Sequence, residues 1–237
     1  GLAVCCSVFL FKANSAFACD PPDVLIVLDR SCSMGSNSKW TQAKNAIRTI
    51  TNNYKGKLRF GLETFNSGAA INYALTKCQS DGVATNCVPR LQTTLNSISY
   101  SGGTNLIAAL TVAKNHLNAV KAADTVSGRK RSVMFLTDGQ ATCAFSEARA
   151  LWLQLGVKTY VIGFGSGVDG NCLSKMATEG QTALSGTRKY YQANSQTELN
   201  AAMKAIADAS RVEICNNSDD DCDGRVDEGL SRACSGA

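Results

Sequence analysis

Runs of apolar residues that alternate with longer helical segments constrain the fold of this chain most. The clearest runs cover residues 24–29, 58–65, 132–137 and 158–164, and a weaker one covers 188–192. Their nearly continuous Val, Ile and Leu content is typical of parallel strands that are buried on both faces. Strands that alternate with helices predict an α/β fold, a doubly wound, mostly parallel sheet with helices on both faces.

Helical spacing of apolar residues recurs between the strand-like runs. The last helical segment begins with a capping box, Ser195 and Glu198, in which each side chain can bond the other residue's backbone N–H. Folds of this class bind ligands at the carboxyl ends of their strands, so we expect one main domain over residues 22–210 with its site there. The helical segments are 40–51, 106–120, 146–155, 171–177 and 197–210.

Charge and cysteine content narrow the classes of function. The net charge of +5 is spread along 237 residues, and no basic run is interleaved with aromatic residues, so nucleic-acid binding is not expected. The 11 cysteines include no C-x-x-C pair, and His116 is the single histidine, which argues against a zinc site. Cysteines in this number indicate disulfides in an oxidising, extracellular compartment.

The first residues have the features of a signal peptide. The apolar segment 2–11 is followed by Ala16-Phe17-Ala18, a small-x-small cleavage site. We therefore expect residues 1–18 to be a signal peptide truncated at its start; a buried N-terminal strand or helix is the alternative. Cys19 would then open the mature chain, and membrane attachment is expected only if that cysteine is lipidated, the weaker option.

Oxygen-bearing side chains collect at the predicted strand ends. Asp29, Ser31 and Ser33 follow the first strand, Thr104 precedes a helix, and Asp138 follows a later strand. Carboxylates and hydroxyls are hard ligands that suit Mg²⁺ or Mn²⁺ better than zinc. Because hydroxyls carry no charge, a metal held in this way still attracts another carboxylate.

These residues resemble the metal-ion-dependent adhesion site of the von Willebrand factor A (VWA) family, a Rossmann-like fold. That site is written D-x-S-x-S, then a Thr, then an Asp before Gly, and here it is matched in order by Asp29, Ser31, Ser33, Thr104 and Asp138. The resemblance implies that Ser31, Ser33 and Thr104 ligate a divalent metal, while the two aspartates hold it directly or through water. It also implies that an Asp or Glu of a protein partner completes the coordination.

The sequence therefore favours a secreted or surface-displayed bacterial adhesion module. A structural subunit of an extracellular assembly, in which the metal only stabilises loops, is the alternative. An enzyme is not expected, because no histidine lies near the hydroxyls in sequence, and neither a second-metal cluster nor a general base is evident. The partner and the oligomeric state cannot be read from the sequence.

Two disulfides are predicted within the main domain. Cys32 lies inside the metal loop and Cys143 lies shortly after Asp138, so a Cys32–Cys143 disulfide would fix two metal loops together. Cys172, in the next loop, is the competing partner for Cys143. The turn-rich segment 78–87 is bracketed by cysteines, which predicts a Cys78–Cys87 disulfide.

The C-terminal tail, residues 213–237, is rich in Cys and Asp. Its acidic residues follow the spacing of a calcium loop, except that Leu230 occupies the twelfth position, so Glu228 would have to substitute there. The tail resembles a short motif of secreted bacterial surface proteins to which metal binding is ascribed. We expect a Cys215–Cys222 disulfide that braces a Ca²⁺ loop; a solvated acidic tail is the alternative. The expected calcium ligands are Asp219, Asp221, Asp223, Asp227 and Glu228.

Overall fold

A computed structural model describes residues 21–76, 87–126, 128–212 and 225–229 of the chain. The strands are β1 Asp23–Asp29, β2 Arg59–Phe65, β3 Ala69–Tyr73, β4 Arg131–Thr137, β5 Lys158–Phe164 and β6 Tyr191–Ala193. A 3₁₀ segment, Cys32–Ser38, leads into the first helix. The helices are α1 Lys39–Asn53, α2 Cys87–Ser97, α3 Leu106–Ala123, α4 Phe145–Leu155, α5 Gly170–Glu179 and α6 Gln196–Ala209. No helix within the described residues is long and apolar enough to span a membrane.

The strands form one sheet in the order β3-β2-β1-β4-β5-β6. All neighbouring pairs are parallel except β2 and β3, which are antiparallel. The predicted doubly wound, mostly parallel fold is therefore confirmed. The strand order changes direction between β1 and β4, so the loops after these two strands leave toward opposite faces of the sheet. Such a switch point opens a crevice at the carboxyl ends of the strands.

The central strand β1 explains why the sheet is covered on both faces. Its residues alternate between two hydrophobic clusters, with Val24, Ile26 and Leu28 in one cluster and Leu25 and Val27 in the other. Helices α1, α2 and α6 cover the first cluster, and α3, α4 and α5 cover the second. Each buried leucine or valine contributes about 1.5–3 kcal/mol through removal from water, so exposing either face would strongly destabilise the domain.

Two elements were absent from the sequence-based prediction. Strand β3 consists of Ala-Ala-Ile-Asn-Tyr, contains poor strand formers and lies at the sheet edge. Helix α2 contains proline and two adjacent threonines, yet it buries Val88, Leu91 and Leu95 on one side. The last strand also lies at Tyr191–Ala193 rather than at 188–192. In these short elements, tertiary packing outweighs weak local propensity.

A buried network of charged side chains lies at the amino ends of the strands. Arg59 donates to Asp23 with a distance of 2.6 Å, and Arg131 Nε lies 3.2 Å from the second oxygen of Asp23. Arg129 and Arg131 both contact Asp124. The amino ends of β1, β2 and β4 are thus tied together by charged groups, which leaves the carboxyl ends as the place where polar loops meet.

One carboxyl group in the sheet has no such partner. Glu63 on β2 is fully buried opposite Val27, and neither carboxyl oxygen has a hydrogen-bond partner within the described structure. Burial raises the pKa of Glu63 to about 9. The folded protein therefore holds this side chain in its protonated, neutral form at neutral pH.

We expect Glu63 to make folding stability depend on pH. The unfolded chain releases this proton near pH 4.5 and the folded chain near pH 9, so stability should fall as pH rises between these values, by up to about 1.4 kcal/mol per pH unit. Glu63→Gln should remove that slope and be the more stable protein at pH 8. Urea unfolding at pH 5, 6.5 and 8 measures the effect, with Glu147→Gln on α4 as the control. Parallel pH profiles for wild type and Glu63→Gln would contradict the expectation.

Candidate metal site

The structure brings the residues predicted to form a metal-ion-dependent adhesion site (MIDAS) together at the carboxyl ends of the strands. Asp29 is the last residue of β1, and Asp138 directly follows β4, the neighbouring strand. Ser31 and Ser33 lie at the start of the 3₁₀ segment, and Thr104 lies two residues before α3. The three loops therefore converge at the switch point of the sheet, where ligands bind in folds of this class.

Asp29 holds the loop after β1 against β4. Its Oδ1 accepts a hydrogen bond from the Ser31 backbone N–H at 2.8 Å, and its Oδ2 accepts one from the Thr137 hydroxyl at 2.6 Å. Burial raises the pKa of Asp29, the hydrogen bonds from Thr137 and Ser31 lower it, and the negative charge of Asp138 raises it further. The net shift of the Asp29 pKa is upward, because burial and the neighbouring Asp138 charge both disfavour the ionised carboxylate.

The serines and Asp138 form a continuous row of oxygen atoms. The two serine hydroxyls lie 3.0 Å apart, and the Ser33 hydroxyl donates to Asp138 Oδ1 at 2.7 Å. Because Ser33 donates its single proton to Asp138, the Ser31 hydroxyl is the donor between the serines. The row therefore connects the loop after β1 to the loop after β4 through oxygen atoms.

Thr104 joins the site through backbone contacts between loops. Cys32 N–H donates to Gly102 C=O at 3.0 Å, and Ser101 N–H donates to Arg30 C=O at 2.7 Å. The Thr104 hydroxyl lies against Gly139, where an added Cβ would approach it to 3.0 Å. Glycine at position 139 therefore lets Thr104 approach the loop that contains Asp138.

The structure adds one residue that the sequence analysis missed. The Lys39 ammonium donates to Asp138 Oδ2 at 2.6 Å, and the Asp138 side chain is completely buried. Lys39 is the first residue of α1, where a cation is unfavourable because the helix dipole is positive at that end. The sequence signal for this contact was the lysine itself, because a cation at the start of a helix indicates a nearby negative partner.

The donor set fits a hard divalent cation. The Ser33 hydroxyl lies within hydrogen-bond distance of both the Ser31 hydroxyl and the Asp138 carboxylate, and the Asp29 carboxylate anchors the loop of the two serines. Within the described ranges no three His, Cys, Asp or Glu residues cluster as a zinc-type site would require. Ser31, Ser33, Thr104 and Asp138 are the residues that would hold Mg²⁺ or Mn²⁺, with Asp29 behind them.

The predicted Cys32–Cys143 disulfide is wrong. Cys143 is bonded to Cys172, with 5.5 Å between their Cα atoms, and Cys32 is a free, exposed thiol. The reason is topological, because Cys143 and Cys172 lie next to α4 and α5 on one face of the sheet. Cys32 lies in the segment that leads to α1 on the other face.

The remaining predictions fall partly outside the described residues. Cys87 is disulfide-bonded; Cys78, its predicted partner, lies outside them, as do Cys215 and Cys222 and the signal segment 1–18. Of the calcium ligands predicted in the tail, Asp227 and Glu228 are described, whereas Asp219, Asp221 and Asp223 are not. The calcium loop remains a prediction.

The mostly parallel sheet, with a row of oxygen atoms at its switch point, defines an α/β domain. The sequence matches the family model of the von Willebrand factor type A domain over residues 23–205. The chain therefore belongs to the von Willebrand factor type A domain family. A comparison with curated protein sequences gives no match.

Solved structures with the same fold come from diverse organisms. Proximal thread matrix protein 1 from the mussel byssus is 21% identical with a TM-score of 0.64, covering 84% of this chain and 50% of its own. The same mussel protein has been solved with a zinc-occupied MIDAS motif, at 20% identity and a TM-score of 0.65, with 84% and 50% coverage. The pilus adhesin SpaC from Lactobacillus rhamnosus GG is 16% identical with a TM-score of 0.62, covering 81% and 30%. This chain thus spans about half the length of the mussel protein.

We expect the Cys143–Cys172 disulfide to be a major source of stability. It closes a loop with a sequence separation of 29, for which the chain-entropy estimate is about 3.6 kcal/mol. The double variant Cys143→Ala/Cys172→Ala should lose about that much unfolding free energy in urea. Cys32→Ala is the control and should change stability little, because its thiol is exposed and unpaired. Non-reducing peptide mapping that joins Cys32 to Cys143 would contradict the assignment.

Proposed function

We propose that this chain is a secreted or surface-displayed bacterial binding module that grips an Asp or Glu of a protein partner through a divalent metal. The observation that carries the proposal is the row of Ser31, Ser33 and Asp138 oxygens at the switch point of the sheet. Two proteins with the same fold support it, a pilus adhesin and a byssus matrix protein whose MIDAS motif is occupied by zinc.

The chemistry of the donor set explains why the partner would supply a carboxylate. Most of the proposed direct ligands are neutral hydroxyls, and Asp29 is occupied by hydrogen bonds to Ser31 and Thr137. A divalent cation held in this way keeps much of its positive charge. An Asp or Glu side chain is the protein group that best neutralises such an ion, because Mg²⁺ and Mn²⁺ prefer charged oxygen ligands.

Apolar residues beside the loops offer further contact area. Tyr100 is 46% exposed, and its ring makes an edge contact with buried Trp40 at 6.2 Å between centroids. Gly35 makes room for this ring, since an added Cβ would lie 2.5 Å from a Tyr100 ring carbon. A rigid, half-exposed aromatic side chain next to a charged centre is a favourable anchor for a partner surface.

A structural role is the second candidate, and one observation favours it. The loops are already joined by hydrogen bonds: Asp29 accepts one from Thr137, and Ser33 and the Cys32 backbone N–H donate to neighbouring loops. A metal could therefore serve only to strengthen these connections within an extracellular assembly. An enzymatic role is not proposed, since no histidine lies in the oxygen row, and His116 instead accepts a hydrogen bond from the Leu75 N–H.

Titration with Mn²⁺ tests the metal site directly. Ser33→Ala removes a hydroxyl that contacts Asp138 and should weaken Mn²⁺ binding by about tenfold or more, as measured by isothermal titration calorimetry. Ser36→Ala is the matched control, because Ser36 lies in the same 3₁₀ segment and is exposed. Equal affinities for wild type and Ser33→Ala would contradict the proposed ligand set.

Partner binding distinguishes adhesion from the structural role. Under the adhesion proposal, a protein captured from the bacterial envelope fraction should be released by EDTA and should not bind Asp138→Ala. Under the structural alternative, Asp138→Ala should keep the partner and lower the melting temperature. The Ser36→Ala protein should capture the partner as wild type does, which controls for changes in the loop that do not affect the metal.

A further inference from the structure

The Lys39 side chain lies beside Asp138, and a glycine leaves the space that it occupies. It leaves the first turn of α1 and crosses to the loop after β4, where its ammonium lies 2.6 Å from Asp138 Oδ2. Its aliphatic part runs past Gly165, where an added Cβ would lie 3.0 Å from Lys39 Cε. Gly165 has φ +89°, a backbone conformation that favours glycine. Because glycine has no side chain, space remains for the Lys39 side chain to reach Asp138.

The burial of this pair separates it from an ordinary surface salt bridge. The Lys39 side chain is 16% exposed and that of Asp138 is 0% exposed. Exposed pairs contribute little, whereas removing one member of a buried pair leaves an uncompensated charge. Lys39 therefore balances the charge of Asp138 inside the site.

We infer that Lys39 is a built-in competitor of the divalent metal that also raises the preference of the loaded site for an acidic partner. This inference rests on the metal-dependent binding proposed above. The ammonium and the metal both require Asp138, and both are positive, so binding the metal means displacing Lys39 or tolerating it nearby. Either event weakens the binding of the ion.

Charge counting gives the consequence for the partner. Asp29 and Asp138 together carry up to two negative charges, and Lys39 contributes one positive charge. A divalent ion would bring this group to about neutrality without Lys39, but leaves it at about +1 with Lys39. A partner carboxylate then restores neutrality, so the lysine weakens the hold on the ion and increases the attraction for an Asp or Glu.

The test is calorimetric titration of the full chain with Mn²⁺ alone. Lys39→Met should bind Mn²⁺ about tenfold more tightly than wild type, because the competing charge is gone. Lys39→Gln should do the same while keeping an N–H donor for Asp138, which protects the measurement if the methionine variant fails to fold. Lys39→Arg retains the charge and should bind Mn²⁺ as weakly as wild type. Lys57→Met, an exposed lysine after α1, is the control and should not differ from wild type.

Asp138→Ala, measured in the same series, separates the two proposals. If Asp138→Ala binds Mn²⁺ as wild type does, the proposed metal site itself fails. If Asp138→Ala loses Mn²⁺ while Lys39→Met and Lys39→Gln match wild type, the metal site stands and the competition is wrong. Tighter binding by both neutral variants, with wild-type behaviour in Lys39→Arg, supports the inference.

Discussion

The hydrogen bonds to the buried Asp29 carboxylate are the interactions on which the site depends. This one side chain ends β1, accepts from the backbone of its own loop and accepts from Thr137 on β4. Because β1 and β4 are adjacent and parallel, the bond to Thr137 aligns the two strand ends at the switch point. The positions of Ser31, Ser33 and Asp138 all follow from that alignment, since each lies within a few residues of these two ends.

The same alignment places two buried carboxylates, Asp29 and Asp138, close together, and a nearby cation reduces their mutual repulsion. It brings Asp138 close enough to Asp29 that the charge of Asp138 raises the pKa of Asp29, in surroundings already depleted of water. Two buried carboxylates destabilise one another unless positive charge lies between or beside them. Lys39 supplies such a charge from within the chain, and a divalent ion would supply it from solution. Both cations would interact with the Asp138 carboxylate, which is why we propose that Lys39 affects metal affinity.

The parts of the fold that show a periodic pattern of buried apolar residues could be predicted from the sequence. The long buried strands and the amphipathic helices other than α2 were predicted, and so was the meeting of Asp29, Ser31, Ser33, Thr104 and Asp138 at the carboxyl ends of the strands. The partner of Cys143 was predicted wrongly, as Cys32, with Cys172 only the competitor, because loop proximity alone does not say on which face of the sheet each loop leaves. The contact of Lys39 with Asp138 was missed, because a side chain that crosses between loops has no periodic signature.

The two halves of the site are held by different kinds of bond. The loops after β4 and β5 contain Asp138 and Gly165, and the Cys143–Cys172 disulfide joins the segments that continue from them. The loops with Ser31 and Thr104 are joined by backbone hydrogen bonds through Cys32 and Ser101, without a covalent link, and Cys32 remains a free thiol. A hydrogen bond contributes about 1 kcal/mol net, whereas the disulfide contributes about 3.6 kcal/mol, so the loop that contains Asp138 is the more firmly fixed. The carboxylate for which we propose that Lys39 and a metal compete thus lies on the side that the disulfide braces, and the proposed hydroxyl ligands lie on the side with the weaker connections.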